Sequence, residues 1–439
     1  MARLRTNSLQ SDASLYDTDA YLISDLVVWP GGVLYPTWPV WTNYIYGTNN
    51  HDTLNGTANR DVIYAYLGND TVYGNGGNDD VYGDGGIDSL YGNQGDDRLF
   101  GGDDNDWLAG GEGADMLDGG WGNDTATYFD ATSAIFVDLA TNTTLGGALG
   151  DTFFSIENIM ASQHNDTVFG NADANYLNGL GGHDYLAGFA GNDQLKGAGG
   201  DDVLYGGLGR DFLDGGVHND ELFGDEDDDE IYGRDGDDLI EGGHGADDLF
   251  GEAGVDTLSY AGSTAGVTVN IDTGAVSGGD AFLDYISGFE NVTGSSYDDV
   301  LVGTDGISFS QELADNVMRG GRGNDQISAR DGNDTIDGGV GDDTMTGGVG
   351  DDTFTFVARD HYGHHGGGPR TPGYDTITDF QVGVDRLMFS NIDSLWDLNF
   401  QEVNGNAVIT YDYATGSITL VGVTLDSLLQ HAQHDLVLA

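Results

Sequence analysis

From Gly47 onward the chain repeats a phrase of nine residues in which the eighth is apolar and its neighbours are polar or glycine. Two copies stand back to back as GGVGDDTMTGGVGDDTFT, residues 338–355. The period covers nine units from Gly47 to Thr127, eleven from Ala161 to Ser259 and four from Gly320 to Thr355. Position 8 is apolar in all 24 units, from Leu54 to Phe354. Strand alternation then predicts a tight six-residue turn followed by a three-residue strand. Position 8 points inward, and positions 7 and 9 point outward. Two units close one circuit of eighteen residues, and successive circuits stack about 4.8 Å apart. The expected fold is all-β: a parallel β-roll or β-helix solenoid in three repeat blocks, with a β-rich C-terminal cap.

The polar positions are as regular as the apolar one. Position 1 is Gly in 21 units and Ala (Ala65, Ala161, Ala329) in the others, so nothing larger than a methyl is admitted. Position 4 is Gly in 17 units, and its seven exceptions are only Asn, Asp or His. Those residues tolerate positive φ best, so position 4 is expected to need a left-handed backbone. Position 6 is Asp in 23 of the 24 units, with Asn175 the exception. Carboxylates from every second unit should therefore form a column along one edge. The first block supplies Asp52, Asp61, Asp70, Asp79, Asp88, Asp97, Asp106, Asp115 and Asp124. The second supplies Asp166, Asp184, Asp193, Asp202, Asp211, Asp220, Asp229, Asp238, Asp247 and Asp256. Asp299 leads into the third block, which adds Asp325, Asp334, Asp343 and Asp352.

Composition changes this picture in one respect. The 439 residues include 74 Gly, no Cys and 75 acidic against 13 basic side chains, a net charge of −62. So much charge with so little apolar residue would ordinarily mean disorder, but the strict register argues otherwise. It makes nucleic acid an unsuitable partner and metal cations a suitable one. One buried aliphatic per nine residues returns little against the cost of ordering them, and columns of like charge add to that cost. A hard cation with six to eight oxygen ligands would bind the turns together, and calcium suits them better than magnesium, which demands stricter geometry and fewer protein ligands. The absence of Cys excludes disulfides, thiolate metal sites and a cysteine nucleophile. The metal would then supply folding free energy, leaving a largely disordered chain without it. The acidic run GDEDDDE, 224–230, is not an EF-hand, because Glu230 stands where that loop needs glycine.

The phrase resembles the repeats-in-toxin, or haemolysin-type, calcium-binding repeat, G-G-x-G-x-D-x-U-x. The resemblance covers most of residues 47–355. It implies a parallel β-roll with multiple calcium ions held between adjacent turns, with the position-6 aspartates named above among the ligands.

The expected organisation follows from where the period stops. Residues 1–46 form an N-terminal arm rich in aromatics and proline, including Trp29, Trp38 and Trp41. Residues 47–127, 161–259 and 294–355 are the three calcium blocks. Residues 128–160 and 260–293 are β-helical connectors that resemble each other, with Ile135, Val137 and Leu139 matching Val267, Val269 and Ile271. Each is expected to make one larger circuit with its own strand and a side loop. Residues 304–319 are expected to hold a short turn or helix. Residues 356–439 lose the repeat and resemble the C-terminal region of type I secreted family members, with the final DLVLA as the export signal. The start of the chain has no unbroken apolar run and makes a poor secretory signal peptide, and no stretch is long and apolar enough for a membrane span. His361, His364 and His365 are expected to lie in a solvated glycine loop rather than at a transition-metal site. At position 9 of the first block, Tyr64, Tyr82 and Phe100 should stack on one outer face.

No H-E-x-x-H or G-x-S-x-G occurs, which excludes the common zinc protease and lipase heads, and the arm is expected to be too short for a catalytic domain. The expectation is a non-enzymatic, calcium-binding structural protein, secreted to the exterior or surface of a bacterial cell. It would self-associate into a surface layer, matrix or fibre. The alternative is a calcium-dependent polysaccharide-binding module or adhesin.

Overall fold

The computed structural model describes residues 42–305, 315–357, 373–392, 394–411 and 416–439. The readings of Trp29, Trp38, Trp41, of the His361, His364 and His365 loop, and of most of residues 304–319 lie outside them. Thr42–Ala439 is one compact unit.

The chain is an all-β parallel roll. Each strand pairs with the strand two units on, at a register of eighteen residues: Leu54 with Val72, Val72 with Leu90, and Leu90 with Leu108. Alternate units feed alternate sheets. The position-8 side chains Val72, Val81, Leu90, Leu99 and Leu108 all show no exposed surface, and they file down the axis as a single apolar core. A period of nine, with one strand per unit, leaves room for only one such residue per turn.

The strands are longer than the sequence suggests. Interior strands such as Thr71–Gly76 and Val203–Leu208 run six residues, from position 7 through position 3 of the next unit. Position 2 makes this possible, because it lies in the left-handed region in Tyr66, Leu180, Phe189 and Arg234 as well as in the glycines. Position 4 is left-handed in Asp104, His218 and Asp227 and in most of its glycines, as expected. The expectation fails at Asn50, Asn59, His164 and Asp173, none of which has positive φ. All four belong to the first two units of a block, where the turn is built differently. At interior turns the glycine is also a matter of space: a Cβ on Gly200 would overlap the carbonyl oxygen of Gly182 in the coil before it.

Four sheets result, of six, twelve, fourteen and nine strands among the described residues. The first block uses the six- and twelve-stranded sheets. In the first connector the six-stranded sheet ends at Thr152–Phe154. A new sheet starts there with an antiparallel pair, Ile135–Asp138 against Thr143–Gly146. The twelve-stranded sheet passes straight through, by parallel pairing of Thr125–Thr127 with Asn158–Met160. The second connector repeats the arrangement, ending the twelve-stranded sheet at Tyr285–Ser287 and opening the nine-stranded one with Thr268–Asn270 against Ala275–Ser277. A connector is thus more than an enlarged circuit, since it exchanges one of the two sheets and keeps the other.

Both ends of the roll are built from its own ladders. Asn43–Tyr46 already pairs with Asp61–Tyr64, so the winding starts four residues ahead of the first full repeat. At the other end the hairpin Leu398–Val403 and Asn406–Tyr411, the strand Ser417–Leu420 and the helix Leu425–Asp435 close the roll. The final strand Leu436–Leu438 pairs with Arg386–Ser390. On the outer face Tyr64, Tyr82 and Phe100 stack with ring centroids 4.8 Å apart, the same spacing as the coils that carry them.

Candidate metal centres

Position 6 of every unit stands where the turn meets the strand, and apart from the half-buried Asp52 its aspartate is buried despite its charge. Asp88, Asp106 and Asp124 show no exposed surface. One carboxylate oxygen has a fixed partner. Within a block, the backbone N–H of a position-6 residue donates to Oδ1 of the residue eighteen positions on: Asp70 to Asp88 at 2.8 Å, Asp88 to Asp106 at 2.8 Å, and Asp202 to Asp220 at 2.8 Å. The aspartates therefore form hydrogen-bonded columns, two per block.

The other oxygen is the informative one. Oδ2 has no hydrogen-bond partner in Asp70, Asp79, Asp88, Asp97, Asp106, Asp115 and Asp124. The same holds in Asp184, Asp193, Asp202, Asp211, Asp220, Asp229, Asp238, Asp247 and Asp256, and in Asp325, Asp334, Asp343 and Asp352. In Asp61 the atom without a partner is Oδ1. A single orphaned buried carboxylate oxygen is costly, and a repeated set of them implies a cation. Position 1 completes the cradle. A Cβ added to Gly74 would stand 2.5 Å from Asp79 Oδ2 and 2.9 Å from the carbonyl oxygen of Gly92 in the next coil. Gly206 has the same surroundings, Asp211 Oδ2 at 2.5 Å and Gly224 O at 2.8 Å. The space a methyl would fill is lined by two oxygens, a carboxylate and a carbonyl. Among the described residues no three carboxylate or imidazole side chains converge on one point. Each site is instead one carboxylate per turn supplemented by backbone carbonyls, a hard oxygen donor set of the kind calcium takes.

Electrostatics agree. Burial pushes the carboxyls of Asp106, Asp220, Asp229 and Asp325 up to about 8, with like-charged neighbours in the same column adding to the effect and the backbone hydrogen bond opposing it. For Asp88 and Asp97 the same causes give about 7. A cation beside the orphaned oxygen offsets that penalty.

Four of the expected ligands are placed differently, the first being Asp61, whose Oδ2 accepts from the Thr57 N–H at 2.6 Å. Asp52 Oδ2 accepts from the backbone N–H of Thr48 at 2.5 Å and from its hydroxyl at 2.8 Å. Asp166 Oδ2 accepts from Ser162 N–H at 2.7 Å, and Asp299 Oδ2 from Ser295 N–H at 2.6 Å. In these turns the chain's own donors reach the oxygen that is left bare elsewhere. Asn175 is explained in the same way: its Oδ1 accepts from Asn171 N–H at 2.8 Å, and its amide donates to the Glu157 carbonyl at 2.8 Å.

Further residues belong to the columns without carrying the repeat. Asp151 and Glu157 accept from the last aspartates of the first block, Asp115 N–H at 2.8 Å and Asp124 N–H at 2.9 Å. Asp284 and Glu290 do the same for Asp247 and Asp256. The Tyr128 hydroxyl donates to Asp151 Oδ2 at 2.8 Å, and the Tyr260 hydroxyl to Asp284 Oδ2 at 2.9 Å. The signal for these was present as a paired match between the connectors, a Tyr two residues past the last position 8 and the closing I-E-N-I and F-E-N-V. Position 2 carried a signal too, in its majority of Gly, Asn and Asp.

This donor set, wound on this fold, defines a calcium β-roll. The family model for the RTX calcium-binding nonapeptide repeat (4 copies) matches residues 46–81, 55–90, 91–126, 160–195, 187–222, 223–258 and 314–354, half of the chain in all. The chain belongs to that family and binds multiple calcium ions. No curated protein matches it. Among solved structures it is similar to the extracellular lipase LipA from Serratia marcescens, at 22% identity and a TM-score of 0.24. The alignment covers 53% of this chain and 40% of the lipase, so this chain spans less than half of that protein's length.

Proposed function

We propose that this is a secreted structural protein whose roll is assembled by calcium outside the cell and which then self-associates into a surface layer, matrix or fibre. The observation that carries the reading is the set of buried position-6 carboxylates with an oxygen lacking any protein donor. Asp70, Asp79, Asp88, Asp97, Asp106, Asp115 and Asp124 would hold ions in the first block, with the aspartates whose Oδ2 lacks a donor in the other two. A chain that carries −62 charges and depends on a divalent cation would stay unwound where calcium is scarce and fold where it is plentiful, which suits export as an unfolded chain. The role is structural rather than catalytic, because the paired carboxylates are committed to the turns. A repetitive outer surface with exposed aromatics such as Tyr44, Tyr46 and Trp121 supports association with further copies.

One observation favours a second reading, a calcium-dependent polysaccharide-binding module. A groove of about 460 Å³ on the outer face of the first block is lined by Trp121, Phe100 and Leu67, with Asp84, Asp103 and Asp118 around them. An exposed indole beside carboxylates suits the faces and hydroxyls of sugars. Electron microscopy of the purified chain in millimolar calcium separates the two. Ordered filaments or sheets are expected for assembly. Dispersed monomers retained on a polysaccharide column, and released when Trp121→Ala removes the indole, would replace it with the second reading.

A further inference from the structure

The carboxylate columns are interrupted twice, in the same way both times. At the first interruption one column ends on Asp151, held by the Tyr128 hydroxyl, and its neighbour ends on Glu157. The next pair of columns opens with Asp166, held by Ser162, and with Asn175, whose amide reaches the carbonyl of Glu157. At the second interruption Asp284 is held by Tyr260, and Glu290 closes the neighbouring column. Asp299 is then held by Ser295, and the Asn316 amide donates to the carbonyl of Glu290 at 2.6 Å. Asn316 Oδ1 in turn accepts from Thr304 N–H at 2.9 Å. The start of the roll uses the opening half of the device, with Thr48 on Asp52 and Thr57 on Asp61.

The chemistry at these places is uniform. Where a column stops on an aspartate, at Asp151 and Asp284, the outer oxygen receives a phenol. Where the columns restart, the outer oxygen receives the N–H of position 2, and in the serine and threonine turns the position-2 hydroxyl donates to the same side chain. Ser or Thr stands at position 2 in Thr48, Thr57, Ser162, Ser295 and Thr304, and at no other position 2 of a repeat. In Thr48, Thr57 and Ser162 position 2 lacks the positive φ found at interior units such as Tyr66, Phe189 and Gly207. A turn with that backbone aims its N–H at the carboxylate and fills the place a cation would take.

We infer that the two connectors and the first turn of the roll are metal-free seams, so that calcium is confined to three separate stretches. Ser or Thr at position 2 is the residue that marks a turn as closed to the ion. The inference rests on the calcium reading above and refines which aspartates it engages. Asp52, Asp61, Asp166 and Asp299 bind no ion, whereas interior residues such as Asp220 and Asp343 do.

The test counts calcium ions by native mass spectrometry on the full chain at saturating calcium, with circular dichroism confirming that each variant is folded. Asp52→Asn and Asp299→Asn are expected to keep the wild-type count. Asp220→Asn and Asp343→Asn are expected to lose at least one ion each. Ser162→Gly, which removes the hydroxyl and permits the left-handed turn, is expected to gain one, and it serves if an aspartate variant does not fold. Equal losses from Asp299→Asn and Asp220→Asn would overturn the seams while leaving calcium binding intact. A wild-type chain that carries no calcium would overturn the binding reading itself.

Discussion

Asp220 and Asp284 are both buried aspartates in a hydrogen-bonded column, and each accepts from the backbone of a residue in an earlier coil. They differ in what faces the second oxygen. In the middle of the block Asp220 Oδ2 meets no donor, whereas in the connector Asp284 Oδ2 takes the hydroxyl of Tyr260. The same solenoid is therefore held in two ways, by protein donors where the repeat breaks and by an external cation where it persists. The cost of repetition is that no side chain remains to satisfy the carboxylate. The cost of self-sufficiency is a bulky phenol that nine residues cannot accommodate in every turn.

Removing calcium should break the comparison most completely. At neutral pH, excess chelator is expected to abolish most of the far-ultraviolet β signal, and restored calcium to return it. A fully retained signal would mean the interior columns need no ion. Protons come next. Burial raises the interior carboxyls to between about 6 and about 8 in the fold, for example Asp79 and Asp229, against about 3.9 in an unfolded chain. The metal-free roll then binds more protons than the unfolded chain between about pH 4 and pH 8. Its stability must fall as pH rises through that window and be greatest at the acidic end. Lowering a chelated sample from pH 8 towards pH 4 is expected to recover β signal. With calcium present, the midpoint calcium concentration should rise as pH falls below about 7, because protons and ions compete for the same oxygens.

Single substitutions sharpen the contrast further. Gly200→Ala places a methyl against the Gly182 carbonyl at a left-handed position and should cost about 1–3 kcal/mol. Asp173→Ala, at the same position of a turn with ordinary φ, should fall within about 0.5 kcal/mol. Both are read as shifts in thermal midpoint at fixed calcium. Tyr260→Phe strips the donor from Asp284 and should cost about 1–3 kcal/mol, with no comparable effect from Tyr73→Phe on the outer face. Tyr82→Leu removes two ring stackings and should cost about 1 kcal/mol.

What the sequence made legible follows the period. Position 8 announced the core and position 6 the carboxylate columns, because each is filled by one residue class almost without exception. Position 2 was less legible: Tyr66, Leu180 and Arg234 adopt positive φ there, against their own preference, because the ladder on both sides holds them. Strand length was misread for the same reason, since that position extends the pairing to six residues. The connector carboxylates Asp151 and Asp284 lie 36 and 37 residues beyond the N–H groups they accept from, so no nine-residue template could find them. Asn175, an irregularity in the repeat, becomes a requirement once its amide is seen to face a carbonyl.

The staggered sheets have a mechanical consequence. Because each connector renews one wall of the roll while the opposite wall runs on, the joints never coincide, as in a course of overlapping bricks. A pull along the axis meets an unbroken ladder at every level. A block that loses its ions stays tethered, in register, to a neighbour that has kept them, and that neighbour is a ready template for rewinding.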